Sequence, residues 1–163
     1  MRKEFFRKWF YLGVLFLLPV IFLLFLYPST HNYNPLDIVK TNVNDIEDFT
    51  FINDRKSLFR DNITVLSFLG NDPMSNITSV LNLKELVYDK FRGFKKFQIL
   101  TISTSGTELV LEEVKKEIQK SDELKYWYFA TGAPEQIQKL YNSLIKEVEL
   151  DTSLVTNQVF IID

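Results

Sequence analysis

Asn71, Asp72, Met74 and Ser75 are the residues whose types and spacing come nearest to a reactive site. They follow the apolar run Ile63-Thr64-Val65-Leu66-Ser67-Phe68 and the pair Leu69-Gly70. The run suits a strand covered on both faces, Gly70 a tight turn, and Asp72-Pro73 a helix N-cap with proline in the first turn. Polar side chains then stand at a helix N-terminus beside a strand end, where many proteins keep a reactive cysteine pair. This chain has no cysteine. Disulfides, thiol catalysis and thiolate zinc or copper sites are therefore excluded. Ser75 has no histidine partner, and an unassisted serine hydroxyl is inert. Met74 is the one soft ligand near the turn, and a single thioether does not make a Cu(I) site. A helix N-terminus attracts anions, so a small-ligand module using Gly70 to Ser75 is one reading. The plainer reading, that Asp72 satisfies those N–H groups as a cap, is preferred.

The single histidine, His31, excludes a His-cluster metal site or a His-based relay in the fold. It falls in a polar stretch from Pro28 to about Asp45, rich in turn formers, which reads as a tether. A solvated linker residue is the simpler account of it than a ligand or proton sensor.

The elements around the turn follow from length and patterning. The 163 residues suit one domain plus a short extra segment. Residues 1–8 form a basic tail with Arg2, Lys3, Arg7 and Lys8. Trp9 to Tyr27, WFYLGVLFLLPVIFLLFLY, contains no charge. As a helix it nearly crosses a hydrocarbon core of about 30 Å, with Trp9, Tyr11 and Tyr27 suited to the interfaces. Pro19 is tolerated in a membrane helix. No small-residue cleavage site follows, so an uncleaved single-pass anchor is expected rather than a signal peptide. The positive-inside rule keeps the tail in the cytoplasm and puts the main domain outside, in a periplasm if the source is bacterial. Beyond residue 9 the chain holds 15 basic and 20 acidic residues. That balance argues against nucleic-acid binding.

From residue 46 onward the pattern predicts an α/β domain. Asp48 to Ile52 alternates like a half-buried strand, Asn53 to Lys56 is a turn cluster, and Leu58-Phe59 begins a returning strand of a hairpin. After Ile63–Phe68 a helix from Asp72 to about Phe91 carries Ile77, Val80, Leu81, Val87, Tyr88 and Phe91 inward, and Gly93 ends it. Phe97 to Ser103 is a strand, and Ser105-Gly106-Thr107-Glu108 fits a capping box. The next helix buries Val110, Leu111, Val114 and Ile118. Leu124 to Phe129 is a strand in which Tyr126, Trp127 and Tyr128 serve packing. Pro134 opens a helix with Ile137, Leu140, Tyr141, Leu144 and Ile145 inward, and Gln158 to Asp163 is a last strand. Helical crossovers of this kind imply parallel strands in a sheet layered between helices. Asn62-Ile63-Thr64 and Asn76-Ile77-Thr78 match the glycosylation sequon, as chance allows in an Asn-rich chain.

Two stretches resemble the SCO/SenC family, membrane-anchored thioredoxin-fold proteins of the cytochrome oxidase copper-delivery pathway. VLSFLGNDPMSNITSVLNL is similar to the family's strand, Cys-x-x-x-Cys turn and helix. KYWYFATGAPEQIQKL is similar to its Trp-x-x-Leu-Thr-Gly-x-Pro-Glu-x-Ile segment, at Trp127, Thr131, Gly132, Pro134, Glu135 and Ile137. FQILTISTSGTELVLEEV fits between them. The resemblance covers about Ile46 to Asp163. It implies a thioredoxin-like sheet and places the two family cysteines on Asn71 and Ser75. The copper-binding histidine falls on Val155, counting back from Asp163, or on Thr152, if Asp151-Thr152-Ser153 matches the family's Asp-His-Ser. An aspartate after the second core strand becomes Ser105. The expectation is therefore a domain that is not an enzyme, has no metal or other cofactor, and keeps Asn71, Ser75 and Val155 only as a vestigial site. Its partner is expected to be an integral membrane complex of the respiratory, oxidase type. The family pattern continues past Asp163 with a hairpin partner and a closing helix. Either the chain given is incomplete or its last strand has an open edge able to pair with another protein.

Overall fold

The computed structural model describes residues 2–26, 37–52, 59–120, 123–145 and 150–163. His31, most of the tether, and the turn and Leu58 of the expected hairpin lie outside them. Two compact units result, Met1–Asp37 and Ile38–Asp163.

The first contains one helix, α1 (Arg2–Leu26), with Pro19 inside it. Its 25 residues measure about 38 Å at 1.5 Å each. It is long and apolar enough to cross a membrane. The basic residues of the expected tail are part of the same helix.

The second unit is a five-stranded sheet in the order β1-β4-β3-β2-β5, flanked by helices. The strands are β1 (Thr50–Phe51), β2 (Ile63–Gly70), β3 (Phe97–Thr104), β4 (Trp127–Gly132) and β5 (Val155–Ile162). The helices are α2 (Ile77–Leu83), a wider π-helical segment Lys84–Tyr88, α3 (Asp89–Phe91), α4 (Glu108–Gln119) and α5 (Pro134–Leu144). β2, β3 and β4 are parallel, as crossovers through α2–α3 and α4 require. With the antiparallel β5 beside β2 this is the thioredoxin-like α/β arrangement that the resemblance implied.

Both faces of the sheet are covered, which is why β2 and β3 are continuous apolar runs. Leu66, Phe68, Leu100 and Ile102 pack with Ile137, Leu140, Tyr141 and Leu144 of α5. Val65, Leu69, Ile99, Trp127 and Phe129 pack with Val80, Leu83, Leu111, Val114 and Ile118. Trp127 is fully buried, stacks on Phe129 at 5.9 Å and donates its indole N–H to Thr101 Oγ1 at 2.9 Å. It serves packing, as its strand position suggested.

Four details depart from the sequence reading. β5 follows helix α5 yet runs antiparallel to β2, because the chain enters it at the C-terminal end of the parallel strands, where Val155 pairs with Leu69, and not at their N-terminal end. β1 pairs with β4, at Thr50–Thr131 and Phe51–Ala130, and Phe59 lies in a bend instead of starting a returning strand. The helix between β2 and β3 turns Val80, Leu83, Lys84 and Tyr88 inward and leaves the expected inner residues Leu81 and Phe91 exposed, because the buried stripe is centred on Val80, Leu83 and Lys84 rather than on Ile77 and Leu81. Finally, Lys40 and Asn44, expected in the tether, bond to Asn142 and Ser143 of α5.

Candidate functional site

The C-terminal ends of parallel strands are where α/β sheets place ligand sites. Here that end gathers the turn after β2, the turn after β3 and the loop before β5. Gly70 makes the first turn possible. Its φ is +65°, and a Cβ there would collide with the Ser153 carbonyl oxygen and lie 2.6 Å from Val155 Cγ2. The close approach lets Asn71 N–H donate to Ser153 C=O at 3.1 Å. Val155 then pairs with Leu69 as β5 begins. The structure thus brings Asn71 and Val155 into one neighbourhood. Thr152 sits in the same loop but is exposed, its N–H held by Asp151 Oδ1 at 2.7 Å.

The turn's polar groups are spent on one another. Ser75 N–H donates to Asp72 Oδ1 at 3.3 Å, and Ser75 Oγ donates to Asp72 C=O at 2.9 Å. Asn76 Nδ2 reaches the same carbonyl at 3.1 Å. Asp72 therefore makes a capping bond, although the regular helix starts only at Ile77, with Asn76 at its N-cap position. On the next strand Ser103 Oγ donates to Gly70 C=O at 2.5 Å and meets Thr107 Oγ1 at 2.7 Å. This serine and threonine ladder was not singled out from the sequence; their alternation with Ile102 gave no sign beyond a strand end.

Ser105 donates its N–H to Gly132 C=O at 2.8 Å. It is not the helix cap that the capping-box pattern suggested. Gly106 takes φ +95°, Thr107 occupies the N-cap, and Glu108 turns back onto the Gly106 N–H through both oxygens at 3.0 and 2.9 Å. That bond, with a further one from Thr131, lowers the Glu108 pKa below the ordinary glutamate value.

The donor set does not fit copper. The two loops offer amide, carboxylate and hydroxyl oxygens, plus the Met74 thioether, whereas Cu(I) selects thiolate and thioether sulfur. Among the described residues no three His, Cys, Asp or Glu side chains gather. A cavity beside the turn, lined by Ser67, Asn76, Ser79 and Val155 among others, holds about 40 Å³. Ligand pockets run from about 300 Å³ upward, so it gives the small-ligand reading little room.

The fold defines the class: an α/β, thioredoxin-like domain, with Asn71, Asp72 and Ser75 in the turn after β2. No family model and no curated protein matches the chain. Several solved structures are similar to it, two of them as follows. One is BsSco, a member of the Sco family of cytochrome c oxidase assembly proteins, described by its disulfide switch. It shares 15% identity over 70% of each chain, with a TM-score of 0.49. The other is Arabidopsis thaliana ScoI with copper bound, at 15% identity over 73% of this chain and 76% of that one, TM-score 0.41. This chain has no cysteine with which to form a disulfide switch.

Proposed function

We propose that the chain is a membrane-anchored, redox-inactive Sco-like domain without a copper site. It works by protein contact, as an assembly factor or accessory subunit of a respiratory membrane complex of the cytochrome oxidase type. Helix α1 is its single-pass anchor, with the basic end in the cytoplasm and the domain on the outer side of the plasma membrane.

One observation carries the reading. The turn and loop on which the resemblance places the family's site lie together, with Asn71 N–H bonded to Ser153 C=O and Gly70 allowing the close approach. Every side chain that would do the chemistry is different: Asn71, Ser75 and either Val155 or Thr152. Piecemeal decay of an active protein would more often leave a cysteine or the histidine behind. Absence of all the expected ligands together fits a domain kept for its surface.

The test is Cu(I) competition between the purified full chain in detergent and a chromophoric chelator. The proposal expects no tight uptake. Stoichiometric Cu(I) held against the chelator would overturn it.

A further inference from the structure

At the opposite end of the sheet, where β3 begins, the chain runs Lys90-Phe91-Arg92-Gly93-Phe94-Lys95-Lys96. All seven residues are exposed. They hold four of the 15 basic residues beyond residue 9 and no acidic one, in a region with 20 acidic residues. Phe91 and Phe94 are 45% and 64% exposed, with ring centroids 5.9 Å apart. The loop is a built feature. Phe94 N–H donates to Phe91 C=O at 3.0 Å, Ile63 N–H donates to Lys96 C=O at 2.7 Å, and the Phe91 ring rests 5.8 Å from buried Phe97. Ile63, opposite Phe97 in the sheet, is itself 49% exposed and extends the apolar spot. Lys90, Lys95 and Lys96 make no ion pair with any described residue.

Two exposed aromatic rings ringed by cations lose by facing water and gain at an anionic interface. We propose that this loop docks on the surface of an anionic bilayer. Phe91 and Phe94 enter the headgroup region, and Lys90, Lys95 and Lys96 meet the lipid phosphates. The occupant follows from charge complementarity and from the chain itself. Only 11 residues, Tyr27 to Asp37, separate α1 from the domain, a reach of at most about 40 Å. So short a tether holds the loop at high effective concentration near the membrane. Docked this way, the domain presents the turn Gly70–Ser75 and the loop before β5 away from the lipid, toward a partner.

The inference rests on the anchored reading, and its test separates the two. The chain has no cysteine, and a side chain at Gly93 meets nothing within 4 Å, so a Gly93→Cys nitroxide label reports on the loop. The full chain is placed in nanodiscs of phosphatidylcholine alone, or with phosphatidylglycerol added. The expected result, with phosphatidylglycerol, is protection of the label from a water-soluble relaxing agent and exposure to oxygen. The effect weakens about fivefold for each lysine changed to glutamine at 90, 95 or 96 and fades in high salt. A Thr152→Cys label should stay in water in both lipids. Stable incorporation with equal exposure at position 93 in both lipids overturns the docking alone. A chain that fails to enter the discs overturns the anchor and the docking together. Lysine-dependent binding of a labelled RNA or DNA, with no lipid effect, overturns the docking in favour of a nucleic-acid surface.

Discussion

The two ends of the sheet differ in how their polar groups are used. At the end formed by Gly70, Ser105 and Gly132, most of the polar groups described are held by another part of the protein: Asp72 by Ser75, Gly70 by Ser103, Gly106 by Glu108. At the end formed by Ile63 and the Lys90–Lys96 loop, three lysines and two aromatic rings are exposed, and the lysines make no ion pair with any described residue. An α/β sheet normally keeps its chemistry at the first of these ends. Here the polar groups of that end bond largely to one another, whereas the exposed cations and aromatic rings stand at the other.

Two glycines test the difference most sharply. Gly70→Ala puts a Cβ into the Ser153 carbonyl at a positive φ, so urea unfolding should show a loss of about 2–4 kcal/mol. A neutral outcome would mean that the turn and the loop before β5 are not locked together. Asp72→Ala removes the side-chain oxygen that accepts the Ser75 N–H and should cost about 1 kcal/mol. If ligand binding rather than stability were the casualty, the turn would be a site after all. Glu108 gives a smaller, pH-limited effect. Its folded pKa is depressed by the Gly106 N–H, so its contribution is fully present above the ordinary glutamate pKa and fades as pH falls through the lowered value. Glu108→Gln should therefore lower stability modestly at neutral pH, leave it nearly unchanged at low pH, and so flatten the acid limb of a stability–pH curve. The smallest effect is expected at the other end. Gly93→Ala meets nothing within 4 Å and should stay within about 0.5 kcal/mol of the parent. A cost like that of Gly70→Ala would erase the contrast.

The fold was legible where apolar period and burial coincide. β2, β3, α4 and α5 stand where their patterns put them, because Leu66, Ile102, Val114 and Leu140 each serve one core face. The sequence was silent where a local choice depends on distant backbone. Nothing in Lys84-Glu85-Leu86-Val87-Tyr88 announces a π-helical segment, and the spacing of apolar residues allowed either Leu81 or Leu83 to turn inward. Likewise the Ser105-x-x-Glu108 pattern permits a cap at Ser105, and only the Gly106 turn moves it to Thr107. The placing of Asn71 beside Val155 came from the resemblance, and Gly70 is the residue that enforces it. The Lys90–Lys96 loop carried a readable signal, alternating Lys, Phe and Arg, that its role as a helix stop at Gly93 concealed.

The central claim is that this domain acts through contact with a membrane complex. Purification of the tagged full chain from its membrane in mild detergent, with its mass and companions determined, tests that most directly. The account predicts a stoichiometric assembly with integral membrane subunits of an oxidase-type complex. Recovery of the chain alone, as a monomer, would contradict it.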